Sequence, residues 1–378
     1  METDTLTPAV RLSLEGEVSR CFGAPVRVTE IQNLWPSQVF RCRLQSSGGA
    51  VPDTIMVRLP REAGERSGTV LLDKEQAALE YLASLGSTIA PRFYAGGSDM
   101  GFVASEDLGQ GPSLLDLLLG NDAEAATQGA LAFAHSLGRL HAQTVGGKHT
   151  LLSPGPLPIM ENWRELQEIG EGLGLPRAQG VEADIEEIAQ LLNEPVGYLA
   201  MSNGDPSVVN CKVIGSGVRF FDFEAGCFRH ALIDASVLRF FYPTGGPAWQ
   251  LPLEFARQME ETYRAELRHA LPRRENRFEK EMAAACAAWM LLRMMRLPKV
   301  DAGPDRDSWL LLPSHWEGPA PTRSRRRQLV SILETSVASL YRAQAFEALA
   351  KWGEDTLFAL HRRWPEAAEP LPFYPAFR

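Results

Sequence analysis

The chain has 378 residues, of which 45% are hydrophobic and 22% charged, and its formal net charge is −9. That length exceeds one simple core and suits two lobes or domains of a soluble globular enzyme. The acidic balance excludes a global attraction for nucleic acid or an anionic membrane, and mildly favours a cationic small-molecule substrate.

In chain order, the first hundred residues read as strands with one helix. Arg27 to Ile31 and Gln38 to Leu44 are short and rich in β-formers, Ser46-Ser47-Gly48-Gly49 breaks the chain, and Thr54 to Leu59 follows as a third strand. Leu71 to Leu85 carries apolar residues at helical spacing and stops at Gly86. Phe93 to Ala95 and Phe102 to Ala104 complete the strand set around Gly96-Gly97. The composition changes after Leu108, where Gly109-Gln110-Gly111-Pro112 reads as a linker. This divides the chain into an N-terminal lobe, 1–108, and a C-terminal lobe, 109–378. Beyond the linker the helical period dominates: Glu124 to Thr144, Glu182 to Leu192, Leu253 to Leu271, Arg277 to Leu297, and Arg326 to Arg363 with Gly353 as a candidate break. Met282 to Met295 is the longest apolar stretch; it contains Arg293 and falls short of the ~20 residues of a spanning helix, so it reads as a buried helix. A β-rich island, Cys211 to Phe223, interrupts the helices.

The chemistry sits around that island. Ser202-Asn203-Gly204-Asp205-Pro206-Ser207-Val208-Val209-Asn210 leads into Cys211 to Ile214, then Gly215-Ser216-Gly217, then Val218 to Glu224. Two apolar-leaning runs flanking Gly-Ser-Gly read as a hairpin. A turn centred on Ser216 sets Asn210 opposite Asp222, with Asp205 upstream in the approaching loop. Magnesium takes one or two protein oxygens and otherwise keeps water and phosphate. One Asn and one Asp beside a third, free Asp therefore suit a magnesium–nucleotide site.

This stretch resembles the catalytic and metal-binding segment of the aminoglycoside phosphotransferase and choline kinase superfamily, small-molecule relatives of the protein kinases. The family pattern is His-Gly-Asp, four residues, Asn, and later Asp-Phe-Glu or Asp-Phe-Gly. Gly204-Asp205, Asn210 and Asp222-Phe223-Glu224 match it in place. The resemblance implies an α+β, protein-kinase-like two-lobe fold, with a small β-rich N-lobe and a larger helical C-lobe. It implies ATP and Mg2+ as cofactors, and transfer of the γ-phosphoryl group to a hydroxyl of a small molecule. By it Asp205 is the catalytic base, Asn210 and Asp222 hold magnesium, and Asp234 supports the loop.

The resemblance spans roughly residues 25 to 245. Arg58 stands where the family has a phosphate-binding Lys, and Glu75 where a helix Glu pairs with it. Val103 to Leu108, with Glu106 and Leu108, resembles the hinge that cups adenine. Asn33 to Gln38, with Ser37, occupies the place of the nucleotide-covering loop, and Gly138-Arg139-Leu140-His141 resembles a Leu-His pair on a core helix. Three departures stand out. Asn203 replaces the family His, and it can still donate and accept. Arg58 keeps the charge of the Lys but offers a planar fork. The covering loop has no glycine.

Arg58 and Asn203 motivate the alternative of a pseudokinase, a nucleotide-binding or scaffolding protein with little turnover. His141 reads as a satisfied core histidine, and Arg323 with Arg325-Arg326-Arg327 as a solvated helix start. Trp289, Met290, Met294 and Met295 suit either a helix core or a substrate pocket. No Walker-type, G-x-S-x-G or H-E-x-x-H motif occurs. The five scattered cysteines and the absence of a signal-like start point to a cytoplasmic protein with neither a zinc site nor a disulfide framework.

Overall fold

The computed structural model describes residues 6–34, 38–61, 67–153, 156–195, 197–240, 249–305 and 324–378. Five antiparallel strands form one sheet: β1 (Val26–Asn33), β2 (Val39–Ser46), β3 (Thr54–Arg58), β4 (Phe93–Gly97) and β5 (Phe102–Glu106), in the order β1-β2-β3-β5-β4. Side chains alternate across a strand, so Phe40, Cys42 and Leu44 of β2 are buried while Arg43 and Gln45 are exposed. The buried face packs with Val26, Val28, Ile55 and Val57 against a helix over Pro8–Phe22.

That first helix is a correction, because the N-terminal region holds two helices and not one. Its apolar stripe is faint, with only Leu14, Glu15 and Val18 buried. Its ends are well marked: the Thr7 side chain caps Val10 N, Pro8 sits in the first turn, and Gly23 closes it at φ 64°. The second helix, Gly68–Ser84, matches the expected one and buries Leu71, Leu72, Glu75, Ala78, Leu79 and Leu82 along one face. Glu75 thus lies inside the apolar stripe rather than on a solvated face.

The larger lobe is built around a helix over Phe278–Met294, whose Ala283, Ala284, Ala285, Cys286 and Ala287 are all buried. Small side chains let neighbouring helices approach closely. Helices Ala123–Thr144 and Leu253–Ala270 form one side of this core, and Arg325–Ala343 and Glu347–Arg363 another. The last two are separated at Gln344 and Phe346, both in left-handed backbone, so the break is not at Gly353. Gly353 lies inside the second of them, where a Cβ would meet Val337 Cγ2 at 2.5 Å. Its lack of a side chain permits helix–helix contact and does not end a helix.

Two short ladders lie on the helical lobe. β6 (Leu199–Ser202) pairs with β9 (Cys227–His230), and β7 (Cys211–Ile214) with β8 (Gly217–Phe220). The 109–112 linker is tied to the hairpin: Val213 N donates to Pro112 O at 2.9 Å, and Lys212 Nζ to Gly111 O at 2.6 Å. Among the described residues no helix is long and apolar enough to cross a membrane.

Candidate active site

Because Ser202 pairs with Cys227, the segments after β6 and before β9 emerge together at one end of that ladder. The first holds Asp205 and Asn210, the second Asp222 and Glu224. Gly204 adopts φ +89° and passes so close to Ala225 that a Cβ would lie 2.4 Å from its carbonyl oxygen. Only glycine meets both demands. Asn203, buried beside it, donates through Nδ2 to Asp205 O and Phe221 O, each at 3.2 Å. It therefore steadies both segments.

Asn210 Nδ2 donates to Asp205 O at 3.1 Å and to Asp205 Oδ2 at 3.2 Å. The amide nitrogen is thus turned to Asp205, which leaves the carboxamide oxygen to face elsewhere. The expected cross-strand pairing of Asn210 with Asp222 is off by one. A two-residue turn at Gly215-Ser216 pairs Ile214 with Gly217 and Cys211 with Phe220, so the backbone of Asn210 meets Phe221, whose N donates at 3.1 Å. Asp222 then follows in left-handed backbone at φ 64°, uncommon for a side-chain-bearing residue.

Arg58 is the hub of the small-lobe side. It is 9% exposed. Its Nε lies 2.5 Å from Glu75 Oε2, as the sequence led us to expect, its Nη2 2.7 Å from Asp222 Oδ1, and its Nη1 2.8 Å from Glu224 Oε2. Arg61 pairs with the other Glu224 oxygen. Two guanidiniums thus serve three carboxylates. Burial pushes the Glu75 carboxyl up to about 7 against the attraction of Arg58, with Asp222 and Glu224 adding repulsion. Burial likewise raises Asp222, where Arg58 opposes it and Glu224 reinforces it.

At the hinge, Glu106 ends β5 with its carboxylate held by Arg219 of β8, at 2.8 and 2.7 Å. That grip leaves its side chain committed within the protein. Arg219 Nη2 also donates to Ala90 O at 2.6 Å. Leu108 follows, half-buried. Ser37 lies outside the described residues. Arg61, Arg219 and Arg229 were missed by sequence reasoning, and Glu224 was matched to the motif but given no role. Glu224 and Arg61 carried a local signal, one next to Asp222-Phe223 and the other three residues past Arg58.

Asp205 lines a cavity of about 180 Å³ with Arg229, Asp234, Trp289 and Arg293. Burial and the Asp222 charge raise its carboxyl above the usual range, partly offset by Arg229 and Arg293. Asp234 is 1% exposed. It accepts from Arg229 Nε at 2.7 Å and faces His141 Nε2 at 3.3 Å, while His141 Nδ1 reaches Tyr263 OH at 2.8 Å. Burial raises the Asp234 carboxyl, but Arg229 and His141 outweigh it and hold it below its ordinary value. His141 is the satisfied core histidine expected. Arg229 Nη2 also donates to Gly204 O at 3.3 Å, so this group braces the Asp205 loop from behind.

Among the described residues no three His, Cys, Asp or Glu side chains cluster as a self-sufficient metal site. Magnesium on a nucleotide needs fewer protein ligands. The donor set suits that demand: the Asn210 amide nitrogen is engaged, which frees its oxygen, and Arg58 holds one Asp222 oxygen and leaves the other.

The basic run at 325–327 belongs elsewhere. Ser324 caps that helix, Arg326 pairs with Glu366 at 2.7 Å, and Arg327 pairs with Glu369. Arg323 lies outside the described residues.

Solved structures share this fold. A putative aminoglycoside phosphotransferase from Ralstonia eutropha matches with TM-score 0.52 at 13% identity, over 91% of this chain and 98% of that one. Choline kinase from Cryptosporidium parvum matches with TM-score 0.51 at 14% identity, over 87% and 93%. No protein-family model matches the chain, and no curated protein matches it. The architecture is therefore the protein-kinase-like fold of small-molecule phosphotransferases.

Proposed function

We propose that this chain is an ATP-dependent phosphotransferase that moves the γ-phosphoryl group to a hydroxyl of a small molecule. The observation that carries the reading is the convergence at the end of the β6–β9 ladder. Asp205 lines a cavity there, is bonded to Asn210, and is followed across the loop by Asp222 and its Arg58–Glu75 partners.

In this reading the acceptor hydroxyl lies against Asp205. Its oxygen forms a bond to the γ-phosphorus, the bond from that phosphorus to the bridging oxygen of ADP breaks, and the hydroxyl proton passes to the Asp205 carboxylate. A carboxyl raised by burial is the better acceptor for that proton. Asn210 and Asp222 would hold magnesium, which when bound neutralises charge on the phosphates. Arg58 would contact the phosphates, and Glu75 would aim it. Asn203 and Arg229 position the loop. Transfer then depends on placement and charge neutralisation without a covalent enzyme intermediate.

The test is Asp205→Ala. Phosphate transfer should fall by about 100- to 10,000-fold while magnesium–ATP affinity stays within a few-fold. If ATP binding collapses with transfer, Asp205 holds the site together and is not the base. A second reading, nucleotide binding without turnover, is favoured by the contact of Arg58 with Asp222. It prevails if wild type binds magnesium–ATP, transfers nothing to a broad panel of alcohols, and is indistinguishable from Asp205→Ala.

A further inference from the structure

Beside the Asp205 cavity lies a larger groove of about 1030 Å³, with Gly204 and Arg229 in the walls of both. Its volume is at the upper end of the ~300–1,000 Å³ typical of small-molecule pockets. Acidic residues outnumber basic ones 47 to 38 in the chain, yet the described lining of the groove holds Lys74, Lys148 and Arg229 and no Asp or Glu. The charge of Arg229 is balanced by Asp234, so it adds no free cation. Lys74, half-buried, and Lys148, exposed, differ from it: among the described residues neither has an ion pair or a side-chain hydrogen bond. Each ammonium carries three donors and no acceptor, and no carboxylate of the described lining competes for it.

The two lysines come from different lobes. Lys74 lies on helix Gly68–Ser84, next to Glu75, and Lys148 follows helix Ala123–Thr144. Tyr81, two turns beyond Lys74 on the same helix face, packs edge-on against Phe228 and His149 of the helical lobe, with ring centroids 5.2 and 6.4 Å apart. Gly147 passes so close to Tyr81 that a Cβ there would collide with its hydroxyl. The backbones that carry both lysines are thus fixed against one another at the groove, and a ligand need not organise them.

We infer that this groove is a second binding site, separate from the proposed active site, for a small molecule carrying at least two oxyanions, phosphate or carboxylate, one met by Lys74 and one by Lys148. A ligand so held ties the helix of Glu75 to the segment behind the Asp205 loop, and leaves the Asp205 cavity open. The inference goes beyond the phosphotransferase reading and does not depend on it.

The experiment is calorimetric titration of the full chain with tripolyphosphate, citrate and inorganic phosphate in metal-free buffer of low ionic strength. Wild type should bind tripolyphosphate or citrate about 10-fold or more tightly than inorganic phosphate, and which of the two leads separates phosphate from carboxylate. Lys74→Gln and Lys148→Gln should each weaken the leading polyanion by about 3- to 10-fold, and the double variant by more. The charge-conserving pair Lys74→Arg and Lys148→Arg should keep binding within a few-fold. Lys299→Gln with Lys351→Gln changes the net charge equally outside the groove, and should also leave it within a few-fold. Unchanged binding in the Lys74→Gln, Lys148→Gln double variant overturns the inference, as does an equal loss in the Lys299, Lys351 control or in the arginine pair. Inorganic phosphate bound as tightly as both polyanions, or no binding of either polyanion in the millimolar range, also overturns it. Binding is read here without turnover, so failure of the groove leaves the phosphotransferase reading intact, and failure of that reading leaves the groove standing.

Discussion

Arg58 shows what one residue type can do that its nearest chemical relative cannot. Its three nitrogens reach Glu75, Asp222 and Glu224 at 2.5, 2.7 and 2.8 Å, a geometry open to a planar fork and closed to a single ammonium. Even with Arg61 added, the cluster holds one more carboxylate than guanidinium. The excess falls on Glu75, the most enclosed of the three, whose carboxyl rises from 4.5 to about 7. A folded-state value above the unfolded one means that the native protein binds this proton more tightly. The stabilising contribution is complete below about 4.5 and is lost as pH rises through about 7. In metal-free protein, Glu75→Gln should therefore gain on wild type between about pH 5 and about pH 8, by up to ~3 kcal/mol at ~1.4 kcal/mol per pKa unit. Urea unfolding midpoints at the two pH values check this. Parallel profiles for the two proteins would show that Glu75 is ionised throughout.

At the level of helices and strands, legibility followed the strength of local pattern. Gly68–Ser84 could be read because its apolar stripe repeats over four turns, and the strands of the small sheet because β-formers alternate between Gly-rich breaks. Pro8–Phe22 could not, because it buries only three residues and its caps alone define it. The β6 and β9 strands have four residues each and pair across a long loop, beyond any local signal. The trio proposed for the site could be picked out because Asp205, Asn210 and Asp222 lie close in sequence. The contact of Asp222 with Arg58 could not, since the two lie 164 positions apart. Two errors came from glycine. The hairpin uses a two-residue turn with Gly215 at φ +59°, and a turn centred on Ser216 shifts the pairing by one. Gly353 was read as a helix break although the helix runs through it. Its true role predicts opposite outcomes for one substitution. Gly353→Ala places a methyl 2.5 Å from buried Val337 Cγ2, and overpacking of ~1–3 kcal/mol should outweigh the ~1 kcal/mol propensity gain. Gly172→Ala, at an exposed position near the end of the helix Ile159–Leu173 with nothing within 4 Å, should gain up to ~1 kcal/mol. Thermal denaturation of both variants decides, and a shift in the same direction for the two would refute the packing account of Gly353.

At the scale of the molecule, the two lobes are joined by charge at two separate places among the described residues. At the hinge, Arg219 of the helical lobe grips Glu106 and the Ala90 carbonyl of the small one. At the front of the site, Arg58 and Arg61 of the small lobe grip Asp222 and Glu224. In the proposed reading the second join shares Asp222 with magnesium: Arg58 holds one oxygen of that carboxylate, and its charge would lie beside an ion on the other. Binding of the metal nucleotide would then weaken an existing lobe contact by charge repulsion, and the stability of the ligand-free protein would oppose its affinity for metal nucleotide. Arg58→Lys separates the two. One ammonium cannot reach three carboxylates at once, so the ligand-free protein should melt at lower temperature as the front join weakens. Asp222 is released by the same change, so magnesium–ADP should bind more tightly and raise the melting temperature by more than in wild type. Asp222→Asn in the Arg58→Lys background should abolish the magnesium-dependent part of that rise, since a neutral amide replaces the anionic ligand. Calorimetric titration of magnesium–ADP, together with melting curves with and without magnesium, measures each quantity on one set of proteins. Weaker magnesium–ADP binding in Arg58→Lys than in wild type would mean that the phosphates need the planar fork of Arg58 rather than an ammonium, and that its contact with Asp222 does not hold the metal position closed.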